Sequence, residues 1–166
     1  MQRRVSSGGS TEEPLSPLVK TLIRRIHNEP KHAISFYSFM EACLYDPQYG
    51  YYTASQPKIG KEGDFYTSSS IGSVMGEMLA EMFIAWAAEA CPQYDQVFLA
   101  EWGGGNGKLA SQLLDWVKVR QPDLYAKTEL IMVEYSDYHR QLQKEVLAPH
   151  RNVRWMTEEE WRAVGK

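Results

Sequence analysis

A chain of 166 residues has room for one domain, or a piece of one, with a real core. At 43% hydrophobic and 23% charged residues with a net charge of −3, it lacks the basic excess of a general nucleic-acid binder, and no apolar run approaches the ~18 residues that span a membrane. Cys43 and Cys91 lie far apart and the four histidines show no zinc spacing, so a reduced intracellular setting and no metal are expected.

Residues 1–15 read as a polar tail, too poor in apolar residues to order itself. Arg3, Arg4 and the serines resemble a transit peptide faintly, but Glu12 and Glu13 argue against one. Ser16 and Pro17 then open a helix, with the serine as cap and the proline at the first position. Leu18, Leu22 and Ile26 carry its apolar stripe to about Asn28, and Pro30 ends it. Ser35 caps a second helix whose apolar face is Phe36, Phe39, Met40, Cys43 and Leu44. Asp46-Pro47 stops it, and an aromatic segment, Tyr51-Tyr52-Thr53, follows.

The segment 54–70 is long for a connection inside a compact domain, which marks it as functional or mobile. Its Gly63-Asp64-Phe65-Tyr66-Thr67-Ser68 run gathers an acid, two rings and two hydroxyls. Asp64, Thr67 and Ser68 are therefore candidate lining for a polar ligand pocket. The strongest helical pattern comes next, from Ile71 to Ala90. Apolar residues at 71, 74, 75, 78, 79, 82, 83 and 86 form an unbroken stripe, and its methionines read as core filler.

Val97-Phe98-Leu99-Ala100 is a strand that ends in Glu101, followed by glycines at 103, 104, 105 and 107 and a helix from about Leu109. Strand, glycine loop and helix in this order build nucleotide sites in α/β folds. Spacing decides which kind. A phosphate-cradling P-loop needs a glycine where Trp102 stands and Ser or Thr where Leu109 stands. A dinucleotide loop needs a third glycine where Lys108 stands. What fits is Glu-x-Gly-x-Gly-x-Gly, with Glu101, Gly103, Gly105 and Gly107, and Asn106 inside the turn. The competing reading is an ordinary strand-to-helix turn, for which so many glycines are costly.

The helix 107–120 ends before Pro122. Leu130-Ile131-Met132-Val133 is a buried parallel strand that ends in Glu134. An acid there can accept both ribose hydroxyls of an adenosine, and Tyr135 can lie along the base. Ser136 or Asp137 caps a helix to about Leu147. Asn152 to Trp155 is a third strand, and Thr157 with Glu160 forms a capping box for a last helix. The strands 97–101, 130–134 and 153–155 are expected side by side in one parallel sheet.

Three blocks together carry a resemblance: Phe39–Tyr52, with its Leu-Tyr-Asp-Pro-x-x-Gly-Tyr-Tyr, then Gly63–Ser68, then Glu101–Ala110. The chain resembles the MidA family of class I S-adenosylmethionine-dependent methyltransferases, a bacterial and mitochondrial group. Its mitochondrial member assists assembly of respiratory complex I. The first two blocks are specific to that family, and the third is shared across class I methyltransferases. The resemblance implies an α/β fold, a Rossmann-like methyltransferase sheet under an N-terminal helical layer. It implies S-adenosylmethionine as cofactor and a protein arginine as methyl acceptor; charge and the lack of a long apolar run add the expectation of no nucleic acid and no membrane as partner. By this reading 16–95 is the helical cap and Gly-Asp-Phe-Tyr-Thr-Ser loop, and 96–166 is a partial cofactor-binding domain. Glu101, Gly103, Gly105, Asn106, Gly107, Glu134, Tyr135, Asp64, Thr67 and Ser68 would hold the cofactor.

Family members are about twice as long and carry an Asn-Glu-x-x-Asp-Ala motif after a fourth strand, which nothing here matches. The expectation is an N-terminal portion with the first three strands only and an open strand edge, which by itself binds S-adenosylmethionine weakly or not at all, transfers no methyl group and tends to self-associate. A bacterial cytoplasm is the expected location, with the mitochondrial matrix as alternative. The competing functional readings are a non-catalytic assembly protein that keeps the fold, and a nicotinamide-dependent reductase, which the glycine spacing disfavours.

Overall fold

The computed structural model describes residues 14–53, 64, 72–90 and 92–164. The expected tail up to residue 13, most of the 54–70 segment and Cys91 lie outside the described residues. The chain divides into two compact units, one reaching Tyr51 and one running from Tyr52.

The first unit is a helix pair. Helix α1, Pro17–Asn28, starts where Ser16 Oγ accepts the Val19 N–H at 3.3 Å, with Pro17 in the first turn. Helix α2, Phe36–Tyr45, starts where Ser35 Oγ accepts the Ser38 N–H at 3.0 Å. Asp46 ends α2 and folds the chain back, its Oδ1 accepting the N–H groups of Gln48 and Tyr49. Its second oxygen lies 3.6 Å from the Arg25 guanidinium and so links the end of α2 to α1. The expected apolar face of α2 is only partly right. Phe36 and Phe39 are exposed, and the buried residue is Ala42, with Met40, Cys43 and Leu44 half-buried. A small side chain sits at the contact and the large ones flank it.

The second unit runs α3 (Val74–Ala90), β1 (Val97–Trp102), α4 (Lys108–Arg120), α5 (Pro122–Lys127), β2 (Thr128–Val133), α6 (Asp137–Val146), β3 (Val153–Met156) and α7 (Glu158–Val164). The strands form one parallel sheet in the order β1-β2-β3, with Val97 opposite Thr128 and Leu130 opposite Val153. The expected parallel α/β sheet is present. Two details differ. Pro122 does not merely end α4 but opens α5 at its first position, where a missing N–H costs nothing. Strand β2 starts two residues earlier than Leu130 and stops at Val133, so Glu134 lies just past its tip.

Alternation sorts the sheet into two faces. Val97, Leu99, Leu130, Met132, Val153 and Trp155 pack on one face beneath Ala80, Phe83 and Ala87 of α3 and Leu113, Leu114 and Val117 of α4. Ile131, Val133 and Met156 pack on the other with Trp161 of α7. Trp161 also meets Trp102 edge-on, with ring centroids 5.1 Å apart.

Helix α3 corrects the sequence reading. The buried residues are Gly76, Ala80, Phe83 and Ala87, while Val74, Met75, Met78, Met82 and Trp86 are exposed. The methionines are therefore not core filler here; Met82 is 66% exposed. The helix docks by its small residues, which let its backbone come close to α4. Glu81 reinforces that contact by accepting the Trp116 indole N–H at 2.7 Å and pairing with Arg120 at 3.3 Å.

Candidate functional site

The carboxyl ends of β1 and β2 lie side by side, because Trp102 is in register with Val133. The ladder runs one step further, with the Gly103 N–H donating to the Val133 carbonyl at 3.0 Å. Glu101 and Glu134 thus stand at neighbouring strand tips, where ligands bind in open parallel sheets.

The loop between β1 and α4 is built from left-handed backbone. Gly103, Gly105 and Gly107 have φ of 61°, 55° and 77°. A side chain at these angles costs roughly 1–2 kcal/mol through the Cβ–carbonyl clash, so the spacing of glycines in the motif matches the spacing of positive φ. A Cβ placed on Gly103 would meet no atom of the described residues within 4 Å, so among them its outer side is open. Gly107 closes the turn, its N–H donating to the Gly104 carbonyl at 2.9 Å, and starts α4 by accepting the Ser111 N–H at 3.0 Å. Asn106 contributes to the turn itself, its Oδ1 accepting the Lys108 N–H at 3.1 Å.

Glu134 is buried, and both its oxygens are held. Oε1 accepts the Ser136 N–H at 2.8 Å and Oε2 accepts Gln143 Nε2 at 3.1 Å. Its carbonyl accepts Arg140 Nη2 at 2.8 Å. A carboxylate oxygen offers about two acceptor directions, so each retains one for a further donor. Ser136 caps α6, and its hydroxyl donates to the Tyr52 carbonyl at 2.7 Å. Tyr135 is two-thirds exposed. Burial raises the Glu101 carboxyl above the usual glutamate range.

The structure therefore brings together Glu101, Gly103, Gly105, Asn106, Gly107, Glu134 and Tyr135. Asp64 is exposed at a bend, and Thr67 and Ser68 lie outside the described residues. Sequence reasoning missed Gln143, a fully buried residue whose amide joins Glu134 to the glycine loop. Its only signal is position: it sits one turn after His139 on the inner face of α6, where a polar residue needs partners. A groove of ≈ 470 Å³ lies at the other end of the strands, lined by residues such as Gln96, Thr128, Glu129 and Asn152. It faces the amino ends, away from the loop.

Residues 77–164 match the model of a family of S-adenosyl-L-methionine-dependent methyltransferases, Methyltransf_28. The chain belongs to this family. Its resemblance to MidA proteins is supported by relatives in animals. The protein arginine methyltransferase NDUFAF7, mitochondrial, of Homo sapiens is 33% identical over 111 residues, covering 66% of this chain and 24% of that protein. The homologous Drosophila melanogaster protein is 34% identical over 101 residues, covering 60% of this chain and 22% of the fly protein. A COG1565 superfamily member from Burkholderia thailandensis, crystallised bound to S-adenosyl-homocysteine, superimposes with a TM-score of 0.68 at 27% identity, covering 84% of this chain and 36% of that one. The chain thus spans about a quarter of the animal methyltransferases it matches. No helix among the described residues is long and apolar enough to cross a membrane.

Proposed function

We propose that the chain binds S-adenosylmethionine at the β1 and β2 tips and serves the transfer of its methyl group to arginine in a protein. The observation that carries this reading is the loop of Gly103, Gly105 and Gly107, all at positive φ, set between Glu101 and the buried Glu134. The residues fit the group. The open side of Gly103 admits a ligand against the backbone, and Glu134 keeps an acceptor direction on each oxygen for a ribose diol. Glu101 offers a carboxylate whose charge burial disfavours and an ammonium would restore. Tyr135 offers an exposed ring beside the adenine position.

The cofactor supplies an already activated methyl on a sulfonium, so the protein's work is positioning. An arginine acceptor, with a pKa above about 12, needs a carboxylate to orient it and take a proton. Arginine as acceptor is supported by the names of the animal relatives, and the mitochondrial matrix is favoured over a bacterial cytoplasm on the same ground.

The test is isothermal titration of S-adenosylhomocysteine and NADH against the chain. The first should bind and the second should not. Glu134→Ala should weaken S-adenosylhomocysteine by about 1.5–3 kcal/mol, the range for hydrogen bonds to a charged group. Equal binding of NADH, or no effect at Glu134, would overturn the assignment. In a version extended to the length of the animal relatives, binding without transfer to protein arginine in a radiolabel assay would select the non-catalytic assembly role instead.

A further inference from the structure

Gln143 is a buried side-chain amide that touches both halves of the proposed site. It lies on α6, outside the glycine motif and two turns past Ser136. Its Nε2 donates to the Gly105 carbonyl at 3.0 Å and to Glu134 Oε2 at 3.1 Å. Its Oε1 accepts the Trp155 indole N–H at 3.1 Å from β3. The amide orientation is not arbitrary. An indole N–H only donates, so the atom facing it must be the carbonyl oxygen. A backbone carbonyl and a carboxylate only accept, so the atom facing them must be the NH2 group. Both N–H bonds and the oxygen are therefore used, with 0% of the residue exposed. The backbone packs as closely as the amide bonds: a Cβ on Gly107 would lie 3.2 Å from both Gln143 Cα and Cγ.

We propose that Gln143 is a positioning residue that locks the glycine loop to Glu134, with Trp155 fixing the direction of its amide. The role rests on the reading of this site as one for S-adenosylmethionine. Gly105 stands in the middle of the loop, where its φ of 55° leaves the turn without a side chain of its own to hold it. Gln143 supplies that hold from another element. The same NH2 group occupies one acceptor direction of Glu134 Oε2 and so fixes the carboxylate. The ribose diol and the loop that borders it are thereby set in register by a single amide. A buried amide satisfied at every atom is costly to disturb, because each lost partner leaves an unpaired polar group.

The test uses the 166-residue chain with S-adenosylhomocysteine and its 2′,3′-dideoxy analogue, and hydrogen exchange without ligand. Gln143→Leu keeps the volume and removes the donor. It should weaken S-adenosylhomocysteine about ten- to a hundredfold, as for one hydrogen bond to a charged group, and leave the dideoxy analogue within about twofold of its wild-type affinity. Trp155→Phe, which touches neither the loop nor Glu134, should act in the same sense by freeing the amide to turn. Both variants should speed exchange of the amides from Gly105 to Lys108 while β2 amides keep their protection. Equal losses for the two ligands, with loop exchange unchanged, would show a merely structural glutamine and overturn the proposal. Failure of wild type to bind either ligand would instead overturn the cofactor reading. The loop exchange would then decide the lock by itself, unchanged rates counting against it.

Discussion

Gly76 of α3 lies directly against Gln112 of α4: a Cβ on Gly76 would sit 2.4 Å from Gln112 Cβ. Two effects compete if alanine replaces this glycine. Helix propensity favours alanine by about 1 kcal/mol in a helix interior. The contact disfavours it, because the obstacle is a Cβ fixed to the α4 backbone rather than a swinging chain end. Overpacking of this kind costs roughly 1–3 kcal/mol, so the clash wins. Gly76→Ala is expected to lower the urea midpoint without changing the slope, and Gly76→Leu to lower it further. A midpoint raised by alanine would mean that the two helices separate freely.

The same contact shows why the facing of α3 was hidden. A stripe of large apolar residues predicts that a helix is amphipathic, but this helix carries two usable faces. Hydrophobic periodicity weights Met78 and Met82 heavily and gives Gly76 and Ala80 almost nothing. Docking weights closeness of approach, and the small residues win. By contrast, the caps at Ser16, Ser35 and Ser136 and the box at Thr157 and Glu160 were legible, because each is a local hydrogen bond between near neighbours. The loop glycines were legible for a similar reason, since positive φ is a property of single residues. Gln143 was not, because its role depends on Gly105 and Trp155, which only the folded sheet brings within reach.

The loop makes two separable predictions. At Gly103 a Cβ would meet none of the described residues but φ is 61°, so Gly103→Ala should cost about 1–2 kcal/mol from backbone strain. Gly105→Val adds a branched side chain at a φ of 55° within the proposed site, and is expected to abolish S-adenosylhomocysteine binding in calorimetry on a full-length version. A valine variant that folds and binds as wild type does would refute the motif assignment.

Glu101 gives the site a pH dependence. Burial raises its carboxyl above the usual glutamate range, so the protonated form persists to higher pH than in a free glutamate. An ammonium group on the ligand needs the ionised form. Binding should therefore weaken as pH falls through the raised pKa and release protons in that window, which calorimetry in buffers of different ionisation enthalpy detects. Glu101→Gln should flatten the profile. For stability the sign is opposite: the raised pKa contributes stability below the unfolded value and loses it as pH rises through the folded one. Glu101→Gln should thus stabilise the ligand-free chain at neutral pH while it weakens binding. A wild-type profile with no slope would exclude the carboxylate from the ligand contact.

His150 should make folding sensitive to mild acid. Its side chain is fully buried, with Nδ1 2.9 Å from the Tyr125 hydroxyl and Nε2 3.4 Å from Asp115. Burial pushes its pKa down, against the pull of Asp115 and with the push of Lys118. Below the ordinary histidine value the unfolded chain takes up a proton before the folded one does. Stability is full above that value and is lost as pH falls toward the lowered one. Urea melts at about pH 7.5 and about pH 5.5 should show a larger drop for wild type than for His150→Gln. An equal drop in both would assign the acid sensitivity to other groups.

Among the described residues, β1 is hydrogen-bonded to a strand on one side only, and Phe98 and Trp102 are each half-exposed on it. An edge of this kind, Val97-Phe98-Leu99-Ala100, offers unpaired N–H and C=O groups next to apolar side chains, which is a template for another strand. Trp102 is braced by Trp161 and is a poor site for change, whereas Phe98 lies nearer the strand start. The 166-residue chain is expected to associate reversibly in sedimentation velocity, with the mean mass rising across a concentration series. Phe98→Lys should suppress this, because a lysine on an edge strand repels its own copy and resists burial. Binding of S-adenosylhomocysteine should survive that substitution, since Phe98 lies at the far end of β1 from Glu101 and the glycine loop. A chain that stays monomeric across the series would show that the edge is protected.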